Sequence, residues 1–481
     1  MTSTPDSFPA RPFRPIAPAA RLGAVVGTPA RTKQWLTLFV LANIAFAVGL
    51  YALGNTSLRL PFRIGVYAVS LAFLFLIRGR SRPHPAAIFV QLIAGVLAIA
   101  LLNAERSSWL AGVAQVTLYL SVLAPLIWVG RMQVDRAAFE RVALLIWAFY
   151  SVSAFVGALQ VKYPGQFDGA VSINYDEQFI GAMTITTADG SRMMRPKGLT
   201  DTAGGAGASG MLSIILGFGV LLTRRNTLSQ AAVVGTMVVG LFGVYLSHGR
   251  TSLVTVGIAA VTLLFILNRR KDHAKSVLLL SILAGVSLIG TSIAFTVGGE
   301  STVNRWYSLI EEDPSQVAYK NRGIFLEQML TEDIYNYPLG AGTGRWGMMT
   351  KYFGDPATSL WAEMMWQALL YDGGIPLIIL YALMLFVLMR TSLRVALRSA
   401  DPTTGIWAGV VTSFTVATIA ASFVYPVYIK AAGLEMILLN ACVFSLYQFE
   451  RARAGPMRRA TRPTFDEDRP TAAESPAVAR V

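Results

Sequence analysis

The chain has 481 residues, of which 54% are hydrophobic and only 14% charged, and its formal net charge is +14. A soluble domain carries about 25% charged residues, so this composition excludes a water-solvated globule. The basic residues lie between long apolar runs instead of forming one patch, which argues against a nucleic-acid partner. The single cysteine, Cys442, sits inside an apolar run, which leaves no disulfide framework and no cysteine-based metal site.

Residues 1–33 are rich in Pro, Ala and Arg, lack hydrophobic periodicity, and are expected to form a disordered tail. The first apolar run comes late and is long enough to span, so it reads as a membrane helix and not a cleavable signal. Windows near the ~20 residues needed to cross hydrocarbon give twelve candidates. They are 34–54, 61–77, 86–103, 108–130, 138–160, 205–222, 229–247, 251–268, 275–298, 374–389, 405–424 and 427–447. Leu, Ala and Gly dominate them without period-2 alternation, which selects helices over barrel strands. The expected fold class is therefore an all-α integral membrane protein with about twelve transmembrane helices. No polar linker divides residues 34–450, so they form one membrane domain, and residues 451–481 form a second disordered tail.

An even number of crossings puts both termini on one side, and the short loops identify it. One set of loops holds Arg78, Arg80, Arg82, Arg131, Arg136, Arg141, Arg224, Arg225, Arg269, Arg270, Lys271, Lys275, Arg390, Arg394 and Arg398. The other set holds only Arg59, Arg63, Arg106 and Arg250. The rich set shares its side with the basic termini, which the positive-inside rule makes cytoplasmic.

Two long segments, 161–204 and 299–373, then lie on the outer side. Loops of this length bind, cover or catalyse something, or else serve as solvated linkers. Neither is a basic patch: 161–204 has four basic against five acidic residues, and 299–362 has five against eight. Their cations recur instead in short Gly-containing sequences, Arg195-Pro196-Lys197-Gly198, Ser247-His248-Gly249-Arg250-Thr251-Ser252 and Asn321-Arg322-Gly323. Arg250 stands at the outer mouth near membrane depth, where a charge needs a partner or a task; snorkelling to headgroups is the competing reading. A guanidinium is always charged and donates in a fork that matches two phosphate oxygens, so several outer arginines suit a pyrophosphate at the lipid surface. Gly204-Gly205-Ala206-Gly207 opens the sixth span, where a helix N-terminus would favour an anion; helix packing would use the same small residues.

These sequences carry a resemblance. Arg195-x-x-Gly198 ahead of a small-residue helix, Ser247-x-x-Arg250-x-Ser252, and Arg322 ahead of Tyr337-Pro338-Leu339-Gly340-Ala341-Gly342-x-Gly344 together resemble the O-antigen ligase-like superfamily, the Wzy-type polymerases and ligases of bacterial envelope glycans. The resemblance spans most of the membrane core. It implies a GT-C-like polytopic architecture in the bacterial inner membrane, with a metal-independent glycosyltransferase site on the periplasmic side and no cofactor. The donor would be a glycan on undecaprenyl pyrophosphate and the acceptor a sugar hydroxyl. Membrane lipid would surround the site, and a chain-length regulator or flippase of the same pathway would be its neighbour. Arg195 and Arg250 would hold the pyrophosphate and Arg322 would support the outer loop, with Lys197, His248 and Lys430 as further binding residues. Lys430 lies close to Glu435, so an internal ion pair is the competing reading there.

One departure matters. Ligases of this group place a His just before a helix ending in a Gly-x-x-Gly-like turn, and alignment on Gly374 puts Glu363 at that position. Glu363 could act as general base toward the acceptor or simply pair with an arginine; Asp372 and His248 are lesser candidates. His84 and His273 fall on the cytoplasmic side. Apolar residues at Ile324, Phe325, Met329, Leu330 and Ile334 mark a short outer helix over 321–336. Aromatic residues from Trp306 to Trp366 offer sugar-stacking faces or an interfacial belt. The missing histidine favours a polymerase of lipid-linked repeat units over a ligase acting on lipid A core or protein. A transporter is the alternative from another class, and it predicts an internal repeat that the sequence does not show.

Overall fold

The computed structural model describes residues 29–53, 56–79, 83–163, 165–167, 169, 184–186, 192–200, 202, 204–224, 226–247, 249–311 and 323–460. The first half holds α1 (Pro29–Ala52), α2 (Thr56–Leu76), α3 (Ala87–Ala100), α4 (Trp109–Leu123), α5 (Pro125–Trp128) and α6 (Arg136–Lys162). A small ribbon of β1 (Thr184–Thr186) and β2 (Arg192–Met194) leads into α7 (Gly205–Thr223), α8 (Thr227–Leu246), α9 (Arg250–Arg269) and α10 (His273–Glu311). The outer elements α11 (Ile324–Gln328, continued by Met329–Asp333 and Ile334–Asn336) and α12 (Gly347–Phe353) precede α13 (Met365–Arg398), α14 (Pro402–Ala421) and α15 (Ala431–Ala460).

The protein is a polytopic all-α membrane protein. Among the described residues eleven helices are long and apolar enough to cross a bilayer, the segment Trp109–Arg131 counting as one. The twelfth expected span is α3, which has 14 residues. At 1.5 Å per residue it reaches only about 21 Å, short of the ~30 Å of hydrocarbon.

Several boundaries differ from the sequence reading. α1 is already helical at Pro29, ahead of the expected start at Gln34. Gly298 and Gly299 do not end α10, which runs to Glu311. Glycine weakens a helix by about 1 kcal/mol relative to alanine but does not forbid it, and no proline follows before Pro314. α15 continues through the basic stretch to Ala460. The β-ribbon, antiparallel with Ile185 opposite Met193, was not anticipated. Its first strand is Thr-Ile-Thr, all β-branched residues that favour extended backbone. The expected outer helix is present as α11 from Ile324, with a π turn at Met329–Asp333; Asn321 and Arg322 lie outside the described residues.

Burial identifies the centre. In α7 94% of the spanning window is covered by protein, against 17% in α1 and α2, which face lipid. Small residues permit this: a Cβ on Gly210 would lie 2.1 Å from the Gly240 carbonyl oxygen, so α7 and α8 touch backbone to backbone.

α13 is interrupted at Gly374 (φ 68°, ψ −162°), not begun there as the sequence suggested. The segment 337–344 fills the interruption. Ala341 N–H donates to the Tyr371 carbonyl at 2.8 Å, and Ile375 N–H to the Pro338 carbonyl at 2.9 Å. Backbone freed by the break is thereby satisfied within protein, as membrane depth requires. Below it Asp372, fully buried, accepts hydrogen bonds from Trp346 Nε1 (2.6 Å), Gln115 Nε2 (2.8 Å), the Tyr119 hydroxyl (2.9 Å) and the Gly344 amide (3.2 Å). The glycine-rich segment 337–344 is thus a brace joining the outer loop to α4 and α13.

Candidate functional site

The outer ends of α6, α7, α8 and α9 meet around the loop that follows β2. Gln160 of α6, almost fully buried, holds that loop: its Oε1 accepts the amides of Lys197 (2.8 Å) and Gly198 (2.9 Å), and its Nε2 donates to the Gly198 carbonyl (3.0 Å). Ser153, two turns deeper on the same face, accepts the Leu199 amide at 3.0 Å and shares a 2.8 Å hydrogen bond with Ser209 of α7. The Pro196 carbonyl accepts the Ala206 amide at 3.2 Å, which ties the loop to the first turn of α7. Gly198 has φ +63°, and a Cβ there would sit 2.5 Å from the Ser153 carbonyl oxygen. Gly198→Ala is therefore expected to displace the loop carrying Lys197 and to lower the melting temperature by a few degrees, read by a melting curve in detergent.

The second motif joins the first through Gly207, where a Cβ would come within 2.1 Å of Ser247 Oγ and 3.6 Å of Ser252 Oγ. This places the start of α7 against the turn that starts α9. α4, α6, α8 and α14 each begin on a side-chain cap, from Ser108, Asp135, Asn226 and Asp401. α7 and α9 begin instead on Gly204 and Gly249, with no side-chain cap. The two helix N-termini thus lie side by side without side-chain caps. The first amides of α7 are taken by backbone carbonyls, Gly205 N–H donating to Thr202, Ala206 N–H to Pro196 and Gly207 N–H to Gly204. What the two ends offer an anion is therefore the helix dipole, about half a positive charge each. Arg250 is the first residue of α9, Lys197 is buried, and Arg195 is partly exposed between β2 and that lysine. The Lys197 carbonyl lies against Gly205, and Ser247 and Ser252 lie against Gly207, so the loop that carries Arg195 and Lys197 and the turn that leads into Arg250 both pack on the first turn of α7.

The remaining expected residues gather on the other side of the bundle. Glu363 precedes α13, its Oε1 accepts Trp361 Nε1 at 2.8 Å, and the Met365 amide bonds to the Ser422 carbonyl at 3.0 Å, fixing this corner to the end of α14. Lys430 precedes α15 with its ammonium 5.2 Å from the centre of the Tyr425 ring. Burial pushes the Tyr425 phenol up to about 12. Glu435 does not pair with Lys430. Its Oε1 accepts the Tyr150 hydroxyl at 2.7 Å, and its other oxygen is buried without a hydrogen bond from the described residues. Tyr150 lies on α6 one turn below Ser153, so this bond ties α15 to the helix that holds the Lys197 loop.

His248 and Arg322 lie outside the described residues. Asp372 is buried and accepts hydrogen bonds from four donors. His84 is buried, its Nδ1 accepts the Ala86 amide at 3.0 Å, and burial pulls it down to about 3, so it is neutral and holds the turn ahead of α3. Among the described residues no group of three His, Cys, Asp or Glu is placed to hold a metal. Gln160, Ser153 and Tyr150 were not foreseen, although Ser153, Gly157 and Gln160 follow helical spacing and mark a small or polar stripe on an otherwise apolar helix.

No model of a known protein family matches the chain, and no curated protein matches it either.

Proposed function

We propose that the protein is a metal-independent glycosyltransferase of the O-antigen ligase-like type, taking a glycan from undecaprenyl pyrophosphate on the periplasmic side of a bacterial inner membrane. The observation that carries this reading is the junction of the α7 and α9 N-termini, flanked by Arg195, Lys197 and Arg250. A pyrophosphate leaving group gathers negative charge as its bond to the sugar breaks, and preorganised helix dipoles and guanidinium groups stabilise that charge best where water is excluded. The acceptor hydroxyl attacks the anomeric carbon, a glycosidic bond forms, the bond from that carbon to the phosphate oxygen breaks, and the hydroxyl proton passes to a carboxylate and then to solvent. The cationic loop bias supports the periplasmic placement of this chemistry.

Glu363 is our first choice as base, because it occupies the position at which ligases carry histidine. Glu435 is a second, favoured by its one carboxylate oxygen that accepts no hydrogen bond from the described residues, on a side chain held by Tyr150 of α6. Glu363→Gln and Glu435→Gln separate them: the base should lose about 10²- to 10⁴-fold in kcat with the donor KM little changed. Equal, mild effects from both changes would refute a carboxylate base.

Lack of the ligase histidine points to a polymerase that joins one lipid-linked repeat unit to another, as in O-antigen or exopolysaccharide synthesis. Transfer to lipid A core or to a protein is the ligase alternative. The interruption in α13 is the one feature a transporter would share, but it is filled by the brace at 337–344 and lines no passage among the described residues.

A further inference from the structure

At the opposite end of the bundle, a cleft of about 210 Å³ opens between the start of α1, the end of α2 and the turn after α5. Its walls include Arg31, Trp35, Leu76, Arg78 and Arg131, and among the described residues no acidic side chain lines it. Arg131 is fixed in place because one nitrogen, Nη1, donates to the Leu74 carbonyl at 2.7 Å and to the Ile77 carbonyl at 3.0 Å, closing the end of α2. Arg31 and Arg78 are exposed and make no hydrogen bond or ion pair with the described residues. Trp35 is 39% exposed and packs edge-on against Phe73 at 5.5 Å, a placement suited to the headgroup boundary. Just inside this ring of cations the surface becomes apolar: Leu38 and Leu41 on α1, and Phe75 and Leu76 on α2, all stand exposed.

A guanidinium cluster that opens directly onto exposed hydrocarbon-facing side chains matches an amphiphile with an anionic head. A soluble anion would use the first feature and leave the second without purpose. We propose that this cleft binds an anionic phospholipid from the leaflet at which α1 begins, its phosphodiester on Arg31, Arg78 and Arg131 and its acyl chains along Leu38, Phe75 and Leu76. Basic recesses between helices on this side are suited to such headgroups. The inference is independent of the glycan chemistry at the other end.

The test uses the full-length protein in detergent, titrated with phosphatidylglycerol and followed by native mass spectrometry. Wild-type protein should retain phosphatidylglycerol and not phosphatidylcholine. The pair Arg31→Gln and Arg78→Gln should weaken retention about 30-fold, since each cation near the headgroup contributes roughly five- to sixfold. The pair Arg394→Gln and Arg398→Gln removes two exposed cations at the end of α13, outside the cleft, and should leave retention unchanged. Melting curves in phosphatidylcholine nanodiscs verify that both variants fold. Equal weakening by the two pairs would reduce the effect to general surface charge and overturn the site. Competition by inorganic phosphate at concentrations comparable to the lipid would show an anion site without lipid recognition and would also overturn it.

Discussion

Arg250→Ala is expected to lower product formation by about 10²- to 10³-fold while leaving insertion and melting temperature close to wild type, because it removes one preorganised donor from a developing charge. Arg250 is the first residue of α9, on the outer surface of a junction whose packing is made by Gly207, Ser247 and Ser252, so its removal should not open that junction. Arg250→Lys should recover only part of the rate, since an ammonium keeps the charge and loses the fork that grips two phosphate oxygens. Arg195→Ala should behave like Arg250→Ala. A fall in rate that tracks a fall in melting temperature would assign both arginines to structure instead.

Asp372→Ala is expected to produce the largest loss of stability of any single change in the outer half of the molecule. Three buried donors, from Gln115, Tyr119 and Trp346, together with the Gly344 amide, would lose their common acceptor. Each donor left unsatisfied costs about 1–3 kcal/mol, so the total should exceed about 3 kcal/mol even after partial rearrangement. A melting curve in detergent reads this directly. Asp372→Asn should be milder, because it retains one acceptor oxygen. If the alanine variant melts at the wild-type temperature, the brace between 337–344 and α13 is not a stabilising element.

Much of the fold could be read from the sequence because lipid imposes a single rule, that about 20 apolar residues make a helix. That rule located the span cores and failed at the ends, where capping and propensity decide: α1 was already helical at Pro29 and Gly298-Gly299 did not close α10. It also failed at α13, whose nine buried residues before the interruption are mixed in polarity and read as loop.

The site was legible in part. Arginine beside glycine marked Arg195, Lys197 and Arg250, and the structure brings their segments together. The residues that hold them were hidden because Gln160, Ser153 and Tyr150 act through partners more than thirty residues away in sequence. The same distance effect misassigned Glu435, whose neighbour in sequence is Lys430 but whose partner in space is Tyr150.

The most direct test of the central claim is to incubate the purified protein with undecaprenyl-pyrophosphate-linked repeat units, without metal and without added acceptor, and to resolve the products by size. A ladder of glycans that disappears in Arg195→Ala and Arg250→Ala is the expected result. A ladder of equal intensity from the wild type and both variants would contradict the pyrophosphate site, and no transfer to any glycan, lipid A core or protein acceptor would contradict the glycosyltransferase itself.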